Sequence, residues 1–155
     1  MSTPVPPSRP LSESLVGTWE LLSREDRTAA GERRIDPSLG ADPIALLMYD
    51  RTGHFAAQFM KRDRSQPAPP GTASAPAPNN TGARDGYDAY FGAYSVDDAS
   101  GTVTQRLTGS LSPQNVGMQL TRAMTVAGDE LSIELATAAA DGEPVTRTLR
   151  WRRVG

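Results

Sequence analysis

Arg122 stands in the middle of an apolar row. Across residues 117–126, alternate positions read Met118, Leu120, Arg122, Met124 and Val126. Alternate side chains of a strand share a face, so the guanidinium is expected to point inward with them. Burying such a cation unpaired costs several kcal/mol. The strand-borne carboxylates compete poorly for it: Glu134 falls opposite Leu131, Ile133 and Leu135, and Glu20 opposite Trp19 and Leu21. Arg122 is therefore a candidate catalytic residue, with donors to spare for a carbonyl, phenolate or carboxylate of a ligand. The plainer alternatives are an internal ion pair or a side chain that reaches out at one end.

Two other rows repeat the pattern. Gln105 lies between Val103 and Leu107, and Arg147 shares a face with Val145, Leu149 and Trp151. A few polar groups in an apolar lumen are what a ligand site looks like in sequence. The candidate ligand contacts are Gln105, Tyr90, Gln58, Asn115, Met118, Leu120 and Trp151. His54 is the only histidine, and its ordinary pKa lies near neutrality. It opens a strand just after a turn, so it is a candidate general base if the mouth lies at that end. Otherwise it is a surface or capping residue. Tyr94, in a cluster with Tyr87 and Tyr90, is the third catalytic candidate, as a weak acid with wide apolar contact.

Some chemistry is excluded. One histidine and no cysteine cannot supply a histidine-rich or thiolate metal centre. No Gly-x-Gly-x-x-Gly or phosphate loop accompanies a strand, and no nucleophile elbow appears. No cofactor is expected.

These residues need a scaffold. The 155 residues suit one domain. With 14 glycines and 13 prolines, they favour many short elements joined by turns. Residues 16–23, 44–49, 54–60, 88–96, 102–108, 117–126, 131–137 and 145–154 read as strands. Residues 44–49 are apolar on both faces, and the strand at 88 is expected to start with one helical turn. The stretch 24–42 reads as a polar connection. Residues 1–13 read as a disordered arm and 14–155 as the folded domain. Within it, residues 62–86 form a flexible Pro-rich loop, either a flap over the mouth or an insertion without a role. Eight antiparallel strands with tight turns favour an up-and-down barrel over a sandwich, with very little helix. Eight strands enclose room for side chains or one small ligand.

The net charge of −2 gives no case for nucleic acid or an anionic membrane. The first ten residues hold four prolines and no apolar run, so neither a signal peptide nor a membrane span is expected. The expectation is a cytoplasmic monomer or homodimer whose partner is a small molecule.

Several segments carry a family resemblance. Leu15-Val16-Gly17-Thr18-Trp19 resembles the Gly-x-Trp signature of lipocalins, in which an arginine from the last strand packs over the tryptophan. Arg150, Arg152 or Arg153 is implied for that part. The run Met48 to Arg64 is more specific. It resembles the Y-x-x-x-G-H-x-x-A-Q-x-M-x-x-x-R segment of the bacterial and fungal lipocalin-like domain family. The segments 87–94, 101–104 and 109–117, with Arg122, resemble the same family in the same order. One position departs. A histidine commonly follows Gly-x-Val-Thr in the family, and Gln105 stands there in this chain. The resemblance implies a calycin-like barrel that holds a small, largely apolar molecule.

Two functions fit these residues. One is a cofactor-independent isomerase or cyclase acting on a polycyclic or polyketide-like substrate, with Arg122 stabilising negative charge. The other is a carrier or sensor that uses the same lumen without turnover. The missing histidine favours the second, while Arg122 with the tyrosines favours the first.

Overall fold

The computed structural model describes residues 9–65 and 77–155. Its strands are β1 (Gly17–Thr28), β2 (Arg33–Arg34), β3 (Ile44–Tyr49), β4 (His54–Met60), β5 (Tyr87–Asp97), β6 (Thr102–Ser110), β7 (Gln119–Ala127), β8 (Glu130–Ala138) and β9 (Pro144–Arg153). From β3 to β9 each strand pairs antiparallel with the next, β1 pairs with β3, and β9 closes on β1. The result is a closed eight-stranded up-and-down barrel. The two-residue β2 hangs on the end of β1, through Asp26 and Arg27. Closure gives every barrel strand a neighbour on both sides.

The turns follow from their residues. Asp50 Oδ1 accepts the Thr52 and His54 amides at 2.9 Å, which folds the β3–β4 hairpin. β3 places Ala45, Leu47 and Tyr49 inside and leaves Ile44, Leu46 and Met48 outside. Gly92 marks a register shift between β5 and β6. A Cβ there would stand 1.9 Å from the Arg106 carbonyl, so only glycine lets the two backbones approach this closely.

Three expectations need correction. β1 continues to Thr28 rather than ending near Ser23. β5 is extended from Tyr87, with no helical turn before it. Residues Leu11–Ser14, of which the first three fall in the expected disordered arm, form one turn of helix, α1. Ser12 holds that turn to Asp98 through two hydrogen bonds of 2.8 and 2.7 Å. Residues 1–8, and 66–76 of the Pro-rich loop, lie outside the described residues. No helix among the described residues is long and apolar enough to cross a membrane.

One end of the barrel is sealed. Trp19 and Leu15 are fully buried, and the Trp19 indole donates to the Leu15 carbonyl at 3.0 Å. The Arg153 guanidinium lies 4.3 Å over the Trp19 ring, a cation–π contact. It also donates to the carbonyls of Val16 and Ser14 at 2.8 and 2.5 Å. Gly17 makes room for this arginine: a Cβ there would come 2.5 Å from its Nη1. Of the three arginines implied for the tryptophan, Arg153 is the one that packs on it.

Candidate functional site

The cavity opens toward the other end, where β1 finishes and the β8–β9 hairpin turns. Its apolar walls are Leu47, Phe59, Ile133, Leu135, Leu149 and Trp151, with Leu39 from a loop. Its polar lining is Arg24, Asp88, Tyr90, Gln105, Arg122 and Arg147, with Asn80 and Thr81 from the stretch that leads into β5. The enclosed cavity is small, about 40 Å³.

A kink in β1 brings in charge. The register against β9 shifts between Leu21 and Ser23. Trp19 and Leu21 face inward before the bulge, whereas Arg24, Asp26 and Thr28 do so after it. One extra residue exchanges the faces of everything downstream. Asp26 then meets Arg147 in a fork of two hydrogen bonds, 2.7 and 3.0 Å, with both side chains about 5% exposed. Arg24 pairs with Asp36 at 3.0 Å, and Arg147 reaches the same carboxylate at 3.6 Å. Two guanidiniums are thereby matched by two carboxylates, and Arg147 is a member of a structural ion-pair network.

Arg122 is treated differently. It is 6% exposed and lies among Leu120, Met124 and the lumen tyrosines. Its Nη1 donates to the main-chain carbonyls of Asn79 and Thr121 at 2.9 and 3.1 Å. It has no carboxylate partner among the described residues. Burial lowers its pKa from the usual arginine value, and the Tyr90 and Tyr49 hydroxyls counter that. Burial likewise raises both tyrosines. A desolvated guanidinium held only by neutral oxygens retains its affinity for an anion.

Three buried polar side-chain atoms among the described residues lack a hydrogen-bond partner: Asp88 Oδ1, Gln105 Oε1 and Trp151 Nε1. All three belong to residues that line this cavity. One end of the Gln105 amide meets the Tyr49 hydroxyl at 2.5 Å and the other meets nothing. The Thr81 hydroxyl donates to Asp88 Oδ2 at 2.5 Å. Burial pushes the Asp88 carboxyl up to about 6, against the opposing effects of that hydrogen bond, of the Ala89 amide, which donates to the carboxylate, and of Arg24. A carboxyl that titrates near neutrality can give or take a proton.

Five of the residues picked from sequence come together here: Arg122, Gln105, Tyr90, Trp151 and Arg147. The others do not line the cavity. His54 sits at the sealed end with 68% of its side chain exposed, bonded to Thr52 Oγ1 at 2.8 Å, because the mouth lies at the opposite end of its strand. Tyr94 is half-buried near the same hairpin, donates to the Asp50 carbonyl and packs edge-on against Tyr49. Gln58 points outward and accepts from the Tyr87 hydroxyl. Asn115 is buried in a short 3-10 turn, Pro113–Asn115. Met118 and Leu120 pack in the hydrophobic core.

Sequence reasoning missed Asp88, Arg24, Asn80 and Thr81. A signal existed for Asp88, which shares the strand parity of Tyr90. None existed for the other three, since two lie in a Pro-rich segment without a period and one lies beyond a bulge. Among known families, the lipocalin-like domain family matches residues 16–154. No curated protein matches the chain.

Proposed function

The chain belongs to the lipocalin-like domain family, and from that premise we propose that its lumen binds a small, largely apolar organic molecule with a polar end. The orphaned atoms carry this reading. Asp88 Oδ1, Gln105 Oε1 and Trp151 Nε1 offer one carboxyl, one acceptor and one donor to the same cavity. Native proteins leave few buried polar atoms unpaired, and a shared set facing one space fits a ligand. The flat aromatic walls, Phe59 against Trp151 with centroids 5.8 Å apart and Phe59 stacked on Tyr90 at 6.4 Å, suit a planar apolar body.

A catalytic reading rests on one further observation. Asp88, with its pKa near 6, and Arg122 line the same cavity. A proton carrier and a charge-stabilising donor in one cavity are the equipment of a cofactor-independent isomerase or cyclase. In that reading Asp88 takes the proton-transfer part first assigned to His54. Arg122 steadies the developing oxyanion.

Native mass spectrometry of protein purified from its own cells tests both. A co-purifying organic molecule, lost on denaturation, is the expected result. Recovery of that molecule unchanged after incubation identifies a carrier. Conversion to an isomer identifies an enzyme. Protein that carries nothing, and that small aromatic molecules do not load, overturns the binding reading.

A further inference from the structure

The barrel wall is incomplete on one side of the mouth. The β7–β8 ladder ends at Ala123 opposite Glu134. Continued in the same register, Thr121 would meet Ala136. It does not: β7 from Gln119 pairs only with β6, and β8 out to Ala138 pairs only with β9. A strap fills the seam. The Asn79 side chain takes the place of the missing strand, accepting from the Thr121 amide at 2.8 Å and donating to the Thr121 carbonyl at 2.9 Å. On the facing side the Thr137 hydroxyl donates to the Pro78 carbonyl at 2.7 Å. Asn79 holds this pose in the left-handed region, with φ of 56°. Its main-chain carbonyl caps the Arg122 guanidinium, and two residues on, Thr81 bonds Asp88.

Resting on the binding reading above, we infer that the ligand is an organic acid whose anionic group displaces the Asn79 carbonyl from Arg122, so that the strap Pro78–Thr81 gives way as the ligand enters between β7 and β8. Four observations meet here. At the seam two adjacent barrel strands are joined through a third segment, by the Asn79 side chain on one side and the Pro78 carbonyl on the other. The strap contributes Thr81, and with it Asn80, to the cavity lining. The space left with the strap in place is tight. Arg122 is held by neutral oxygens, the carbonyls of Asn79 and Thr121 and the Tyr90 hydroxyl, which an anion outcompetes in a desolvated setting. The strap therefore acts as a stand-in for the ligand at Arg122 and as a plug in the wall.

The test uses the full chain with 1-naphthoate and its neutral counterpart 1-naphthamide, followed by tryptophan fluorescence. Thr121 amide exchange is measured by NMR with and without 1-naphthoate. Wild type should bind the acid at least about 10-fold more tightly than the amide, the scale of one charged hydrogen bond. Arg122→Met should abolish that preference. Binding of the acid should speed exchange at the Thr121 amide, because Asn79 leaves it. Asn79→Gly, which suits the backbone angle and removes the pins, should quicken both association and dissociation. Equal affinity for the two probes, or a preference that survives Arg122→Met, overturns the acid assignment and leaves the binding reading standing. Slowed or unchanged exchange at Thr121 in the loaded wild type overturns the displacement, and this arm needs no variant to fold. If neither probe binds any of the proteins, the binding reading fails and this inference with it.

Discussion

The two buried tryptophans lie in two regions that treat their polar atoms differently, and the three deeply buried arginines of the cavity are themselves treated unequally. At the base, the Trp19 indole reaches the Leu15 carbonyl and Arg153 is satisfied by two more carbonyls and the ring beneath it. In the cavity, the Trp151 indole reaches nothing. Arg147 is locked in a fork with Asp26, whereas Arg122 is held by neutral oxygens. The base is built for stability, with its polar demands met internally. The cavity keeps unmet demands, which an apolar filling would not need.

Breaking the base or the ion-pair network should have the largest effects. Trp19→Ala empties a fully buried site and should cost about 3–5 kcal/mol in chemical denaturation. Arg147→Met leaves Asp26 buried without its partner, at a similar cost of about 3–5 kcal/mol. A small loss at either position would show that the base or the network is not a stabilising unit.

The cavity side should behave in reverse. The folded state holds the Asp88 proton more tightly than the unfolded chain, since its pKa is raised from 3.8 to about 6. Its contribution to stability is therefore full below about pH 4 and is lost as pH rises through about 6. The loss is at most about 3 kcal/mol. Asp88→Asn should flatten that part of the stability–pH curve, and parallel curves for the two proteins would contradict the buried, titrating carboxyl.

Trp151→Phe gives the smallest change. It removes an orphaned donor together with part of a fully buried indole, so denaturation should shift by about 1–2 kcal/mol. Ligand retention should suffer more than stability does. A large destabilisation would mean that the indole nitrogen has a partner after all.

The contrast between the ends also explains what could be read from sequence. Parity on regular strands places Gln105, Arg122 and Trp151 inward, and the Gly-x-Trp resemblance locates the base. Arg24 and Asp26 were out of reach because a single bulge reverses parity where the chain reads as a polar connection. His54 was misplaced because strand pattern does not tell which end of a closed barrel is open. Asp88 was overlooked because residues 88–91 suggested a helical turn, although its parity with Tyr90 was available. The strap has no periodicity at all. Asn79 works through one side chain's mimicry of a strand, which only the folded arrangement reveals.

The seam between β7 and β8 has a bearing on solubility as well. At Thr121 the backbone amide and carbonyl are satisfied by a borrowed side chain and not by a neighbouring strand. Without Asn79 they form a short bare edge, the kind of template on which a second chain can add by strand pairing. The same few atoms that close the wall thus cover that edge, and an open seam would leave it bare.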